Sequence, residues 1–73
     1  MSLEREKLAA NIRAARGFND ISQEELANAI GSSPTSVGNW EAAKNTPSLE
    51  NVVDMADLFE LPIDKLVRGH VQG

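Results

Sequence analysis

The segment Ser22–Glu41, SQEELANAIGSSPTSVGNWE, predicts two short helices joined by a tight turn. Ser22 and Glu25 have the spacing of a capping box, in which each side chain accepts a hydrogen bond from the backbone amide of the other residue. Apolar residues follow at helical spacing, and Gly31 can adopt the left-handed conformation that ends a helix. The first helix of the pair is therefore expected over residues 23–30.

The second helix of the pair has Ser33 as its expected N-cap and Pro34 at the first helical position, where the missing N–H costs nothing. Its pattern fades near Ala43, so this helix is expected over about 33–43. A connection of two or three residues makes the two helices cross sharply, as in a helix-turn-helix. The residues expected to form the contact, the turn and the inward face of the pair are Leu26, Ala27, Ile30, Gly31, Val37 and Trp40.

Apolar spacing predicts one further helix before this pair, over about 3–17, and one after it. The later helix is expected to start at Pro47 or Ser48, and Thr46 as N-cap with Pro47 at the first helical position is an equal alternative. The side chains expected on its core stripe are Leu49, Val52, Val53, Ala56 and Phe59, with Met55 and Leu58 to one side.

Pro62 interrupts this pattern, and the apolar residues beyond it predict one more short helix. Residues 69–73 are expected to form a frayed tail in which His70 is solvated. The whole chain, residues 1–73, is interpreted as a single domain with its core over 8–67.

The composition limits the classes of protein to which the chain can belong. Its 73 residues suffice for one domain with a thin core. Because it contains no cysteine and one histidine, neither a disulfide framework nor a thiolate metal site is expected, and no cofactor or small-molecule ligand is predicted. The lack of cysteine agrees with a reducing cytoplasm, which is the expected location. No apolar run has the length of a membrane span. Without a glycine-rich phosphate loop or a nucleophile with its base, no enzyme is predicted.

Three stretches of the sequence resemble one known family. SQEELANAIGSS from Ser22, VGNWE from Val37 and PSLEN from Pro47 resemble the lambda-repressor-like, or Xre-type, helix-turn-helix family of phage repressors and related bacterial regulators. The resemblance covers roughly residues 8–67. It implies an all-α, compact five-helix domain, usually dimeric, whose third helix enters the major groove of double-stranded DNA.

The resemblance also implies roles for individual residues. Gln23 is expected at a DNA phosphate, because a helix N-terminus offers free N–H groups and the positive end of the helix dipole. Thr35 and Asn39 are the best candidates for base edges, since Asn can pair with adenine and Thr can offer a hydroxyl or a methyl group to thymine. The other residues expected at bases are Ser33, Pro34 and Ser36, and those expected at phosphates are Ser22, Lys44 and Asn45.

Arg16 and Glu41 match family positions that form an internal ion pair, which is expected here to tie the first helix to the third. As an exposed pair it is expected to contribute only about 0–1 kcal/mol. Arg13 is interpreted as a solvated surface residue.

The chain departs from the family pattern in its glycines. Family members usually carry glycine after the first, third and fourth helices, whereas this chain carries Asp20, Ala43 and Glu60. Each is expected to cost on the order of 1 kcal/mol, Asp the least, unless the helix ends differently. Gly38 costs the third helix about 1 kcal/mol relative to alanine and removes one side chain from its outer face.

The charge balance bears on the choice of partner. The net charge is −4, from 7 Lys and Arg against 11 Asp and Glu, whereas DNA-binding domains are usually basic. Four of the basic residues lie in the first quarter of the chain, and a run of acidic residues lies in the last third, so the two ends can present opposite faces. The third helix has no arginine for guanine, so weak binding by a monomer and dimerisation are expected.

These features favour a sequence-specific DNA-binding transcriptional regulator, a repressor in the first instance, acting as a homodimer. One alternative is a protein-interaction module, such as the antitoxin of a toxin–antitoxin pair, which the acidic balance favours. Another is the N-terminal DNA-binding fragment of a longer repressor. No membrane partner is expected.

Overall fold

The computed structural model describes the backbone of residues 2–69 and 71 and the side chains of residues 4–69 and 71. Within these residues the chain forms five α-helices and no strand, which confirms the expected all-α class. The helices are α1 (Ser2–Phe18), α2 (Gln23–Ile30), α3 (Pro34–Glu41), α4 (Leu49–Phe59) and α5 (Ile63–Arg68). None of the described helices is long and apolar enough to span a membrane. The prediction for His70 falls outside the described residues.

The capping box of α2 is present as the sequence predicts. The backbone N–H of Glu25 donates to Ser22 Oγ at 3.0 Å, and the N–H of Ser22 donates to Glu25 Oε1 at 2.8 Å. Gly31 ends the helix in the left-handed region, with φ 70°. Because local hydrogen bonds set both ends of α2, its boundaries follow directly from the sequence.

Helix α3 begins as predicted and ends two residues early. Ser33 is its N-cap, and Pro34 occupies the first helical position. The helix ends at Glu41 because Ala42 leaves the helical region (φ −90°, ψ 2°), so the predicted end near Ala43 is wrong. The next residue then takes a left-handed conformation, which turns the chain away from the helix axis.

The core lies where the five helices meet. Each helix contributes one large side chain that is fully enclosed, namely Ile12, Leu26, Met55, Leu66 and Val37. Full burial of a side chain of this size stabilises the fold by roughly 1.5–3 kcal/mol. In so small a domain this core is what holds α3 against α2 and α1, with Ala27 fully buried at the contact of the helix pair.

Helix α4 differs from the expectation in its start and in its inner face. Ser48 is its N-cap, accepting a hydrogen bond from the Asn51 N–H at 3.2 Å, so the predicted starts at Pro47 or Ser48 and the cap at Thr46 are wrong. Leu49, expected in the core, is 75% exposed, whereas Met55, placed to one side, is fully buried. The buried stripe is Val52, Met55, Ala56 and Phe59, at i, i+3, i+4 and i+7.

Three of the helices are followed, within two residues, by a left-handed residue other than glycine. Asp20, Ala43 and Glu60 have φ values of 57°, 59° and 58°, at the three positions where the resemblance implied glycine. At each end the N–H of the following residue bonds to a carbonyl five positions earlier, as in a Schellman motif. The helices therefore end as they would with glycine, and the left-handed backbone is strained because these residues have a Cβ.

A buried polar residue that the sequence analysis missed joins α1 to the end of α5. The side chain of Asn11 is 3% exposed. Its Nδ2 donates to the carbonyls of Leu66 at 2.8 Å and Gly69 at 3.0 Å, and its Oδ1 accepts from the Val71 N–H at 3.2 Å. Val71 also packs against the core, so the expectation of a frayed tail is wrong at this residue.

Candidate nucleic-acid interface

The outer face of α3 carries short polar side chains and no accessible charge. Thr35 and Pro34 are exposed, and Ser36 and Asn39 are half-buried. The one charged residue of the helix is Glu41, which is 5% exposed. A neutral surface of hydroxyl and amide groups neither repels phosphate nor attracts it, and it can exchange hydrogen bonds with base edges.

The first turn of α3 is fixed by its own hydroxyl groups. Ser33 Oγ accepts from the Ser36 N–H at 3.1 Å and donates to Ser36 Oγ at 3.0 Å. Ser33 and Ser36, two of the five residues expected at the bases, are therefore engaged with each other at the start of the helix. Thr35 lies between them in sequence and has no side-chain hydrogen bond to the described residues, so it is the hydroxyl most available to a ligand.

Gln23, expected at a phosphate, is the first residue of α2 and is half-buried against α3. Its Nε2 donates to Glu41 Oε1 at 3.0 Å. Its Oε1 lies beside Gly38, since a Cβ built on that glycine would be 3.7 Å from this oxygen. The side chain thus bridges the N-terminus of α2 and the middle of α3, with one amide hydrogen and the oxygen left for other partners.

The expected ion pair between Arg16 and Glu41 is present. Arg16 Nε donates to Glu41 Oε2 at 2.7 Å and Nη2 donates to Oε1 at 3.1 Å, while Nη1 donates to the Ile21 carbonyl at 3.0 Å. The hydrogen bond to Glu41 raises the pKa of Arg16, so the guanidinium stays charged. Because the side chains are only 24% and 5% exposed, the pair is not the exposed one that was expected, and removal of one partner would leave the other charge without its partner in a buried place.

Arg13 does more than the solvated role that the sequence analysis gave it. Arg13 is exposed, but its Nη1 donates to the backbone carbonyl of Glu41, the last residue of α3. Arg13 and Arg16, two of the three arginines of α1, therefore hold the same residue, one through its carbonyl and one through its carboxylate. In the sequence, Arg13 and Arg16 lie three residues apart and so on neighbouring turns of α1. That spacing did not identify the backbone carbonyl as a partner.

The remaining residues of the expected interface lie at its edges. Ser22 is exposed beside the N-terminus of α2, with its Oγ used as the helix cap. Lys44 and Asn45 are exposed just after α3, and the Lys44 N–H donates to the Asn39 carbonyl at 2.9 Å. Within the described residues, no group of His, Cys, Asp or Glu side chains is placed to hold a metal ion.

The sequence is similar to proteins named as a transcriptional repressor and a control protein. It is 36% identical over 59 residues to the cryptic phage CTXphi transcriptional repressor RstR of Vibrio cholerae, covering 81% of this chain and 53% of that protein. It is 32% identical over 63 residues to the control protein C.SmaI of Serratia marcescens, covering 86% of this chain and 75% of that protein. The chain thus spans about half the length of the phage repressor and most of the control protein.

The fold also matches a solved complex. The crystal structure of the P22 c2 repressor protein with synthetic operator 9T in the presence of Tl⁺ superposes with a TM-score of 0.81 at 27% identity, covering 85% of this chain and 94% of that chain. The solution structure of the DNA-binding domain of the same repressor gives a TM-score of 0.81 at 26% identity, covering 89% and 86%. A family model described as helix-turn-helix matches residues 12–66, which is most of the sequence. The chain belongs to this helix-turn-helix family.

Proposed function

We propose that this protein is a sequence-specific DNA-binding transcriptional regulator and that it acts as a repressor. The observation that carries the proposal is the outer face of α3, which is neutral, hydrogen-bonding and bordered by Gln23 at one edge and Lys44 at the other. Helices of this kind read base edges in the major groove while groups at their borders hold the phosphates. The role is one of binding, without a catalytic step.

In this proposal α3 lies in the major groove and presents Thr35 and Asn39 to the bases. Asn39 can pair with adenine through its amide, and Thr35 can contact thymine through its hydroxyl or methyl group. Ser33, Pro34 and Ser36 form the end of the helix nearest the groove floor. The hydroxyl oxygens of Ser33 and Ser36 retain acceptor capacity beyond the bonds of the cap.

The phosphates on either side are assigned to the borders of this face. Gln23 and Ser22 lie at the N-terminus of α2, whose dipole favours an anion. Lys44 and Asn45 follow α3 and reach the backbone from the other side. The names of the relatives, a transcriptional repressor and a control protein, and the operator complex of the P22 c2 repressor support the same role.

We further propose that the protein binds as a homodimer in the cytoplasm, where its operator lies. A single α3 offers few strong contacts, because it carries neither an arginine for guanine nor a cation for phosphate. Two copies related by a two-fold axis would read half-sites about 34–36 Å apart, which is one turn of the duplex. Among the described residues, none of the observations above favours the protein-interaction alternative over this role.

The first test is selection of binding sites from a random double-stranded DNA library at low salt. We expect enrichment of an inverted repeat whose half-sites are about one helical turn apart. Asn39→Ala should lose about 1–3 kcal/mol of discrimination at one base pair of each half-site. As a control, Asn51→Ala on α4 should leave the selected sequence unchanged. A library that yields no enriched site, even at low salt, contradicts the proposal.

A further inference from the structure

The segment that carries the proposed DNA contacts is short of positive charge. Residues 22–45 include three carboxylates and a single cation, Lys44. The carboxylate of Glu41 is matched by Arg16, but that ion pair uses the charge of Arg16 inside the fold. Affinity for a duplex depends on cations that neutralise phosphates. Positive charge has to reach the interface from another part of the chain.

Arg13 of α1 is the cation that the fold holds against the end of α3. Its Nη1 donates to the carbonyl of Glu41, which leaves four of the five N–H donors of the guanidinium for other partners. The residue is exposed, so these donors can reach a ligand. The C-terminal end of a helix carries partial negative charge, which favours a cation at this place even before a ligand binds.

Arg13 and Lys44 are anchored to the same end of α3. The backbone N–H of Lys44 donates to the carbonyl of Asn39, two residues before the one that holds Arg13. Lys44 is already assigned to the DNA backbone on one side of this helix end. A guanidinium fixed at a neighbouring carbonyl suits phosphate recognition, because its planar fork matches phosphate oxygens.

We infer that Arg13 is a phosphate-contacting residue, supplied to the edge of the interface by α1 rather than by the helix-turn-helix itself. This inference rests on the proposed function. The bond to Glu41 serves to position the guanidinium, so that little side-chain entropy remains to be lost when it meets a phosphate. The acidic chain then contacts DNA with cations from two separate elements, Arg13 of α1 and Lys44 of the loop after α3.

The test is the salt dependence of binding to the selected operator, compared between the wild type and Arg13→Gln. Each phosphate contact that is removed should reduce the magnitude of the slope of log K against log salt concentration by about 0.9, so a dimer that loses one contact per monomer should lose about 1.8. The ratio of wild-type to variant affinity should therefore shrink about threefold between 50 and 200 mM salt for each phosphate that the variant leaves without its cation. Base preference should stay the same, because phosphate contacts carry no sequence information directly.

Lys7→Gln is the matched control, since it removes one positive charge from the same helix. Lys7 lies six residues before Arg13, about 120° round the helix axis, and is exposed. The slope of log K against log salt concentration for Lys7→Gln should equal that of the wild type. Arg13→Lys keeps the charge and should restore most of the slope while binding less tightly than the wild type.

A second measurement needs no variant. DNA should protect Arg13 of the wild type from an arginine-specific dicarbonyl reagent, as read by mass spectrometry. Equal salt slopes for Arg13→Gln and the wild type, together with equal labelling with and without operator, would mean that Arg13 only holds α3 and would overturn this inference alone. Absence of any wild-type binding would overturn the proposed function and this inference together.

Discussion

Glu41 is the residue at which side chains of three helices meet. Its carboxylate accepts from Arg16 of α1 and Gln23 of α2, and its carbonyl accepts from Arg13 of α1. A carboxylate this deeply buried needs all of its partners, because an unpaired charge in the interior is costly. Through these bonds Glu41 ties α3 to both α1 and α2.

We expect Arg16→Met to destabilise the protein by about 3 kcal/mol or more, because it leaves a buried carboxylate with only an amide partner. Glu41→Gln should cost less, since the guanidinium that it leaves unpaired is about a quarter exposed and keeps its bond to the Ile21 carbonyl. Urea denaturation of the two variants measures the difference in the free energy of unfolding.

The double variant Arg16→Met with Glu41→Leu is the control for this prediction. Replacing both partners of a buried pair by apolar side chains is often close to neutral. Its free energy of unfolding should therefore exceed that of Arg16→Met alone. Equal stability of all three variants would show that the pair is solvated and that burial of Glu41 is unimportant.

At the scale of the helices, the left-handed residues after α1, α3 and α4 are where substitution can raise the free energy of unfolding. Ala43→Gly should raise the free energy of unfolding by about 1 kcal/mol, because φ 59° is strained for any residue with a Cβ. Glu60→Gly should act similarly, and Asp20→Gly less, since Asp tolerates this conformation better. Thermal denaturation should show a midpoint about 4–8 °C higher per kcal/mol.

Ala42→Gly provides a control at the neighbouring position. Its φ of −90° suits alanine, so glycine there gains nothing in the folded state and adds entropy to the unfolded chain. The stability of Ala42→Gly should fall while that of Ala43→Gly rises. A fall for both variants would mean that strain at Ala43 is not what limits this helix end.

The helices also show which structural features could be predicted from the sequence. Signals that act within one turn, such as the capping box at Ser22 and the turn glycine Gly31, gave the boundaries of α2 correctly. The start of α4 was predicted wrongly because local rules alone allow a helix that begins at Pro47 or Ser48, or one that is capped by Thr46. Contacts with other helices then bury Met55 and leave Leu49 in solvent, and local periodicity cannot supply that choice.

For the whole molecule, the family pattern suggested a candidate interface, which stays a prediction, and did not indicate the whole of the hydrogen-bond network beneath it. The Arg16–Glu41 pair was predicted from matching positions, whereas the bond from Gln23 to Glu41 was not. The bond from Arg13 to a backbone carbonyl was also missed, because a carbonyl has no residue type by which a sequence can mark it. The assignments of Thr35 and Asn39 to bases stay predictions until an operator is selected.

Asn11 has a consequence for how the molecule unfolds. Its hydrogen bonds join α1 to residues more than fifty positions later in the chain, so neither region can open without exposing the unpaired groups of the other. We expect native-state hydrogen exchange to show similar protection for the amides of α1 and α5, and Asn11→Ala to lower that of α5 first. Asn11 would then make one cooperative folding unit of two helices that are far apart in sequence, and the short α5 would owe its persistence to a side chain outside it.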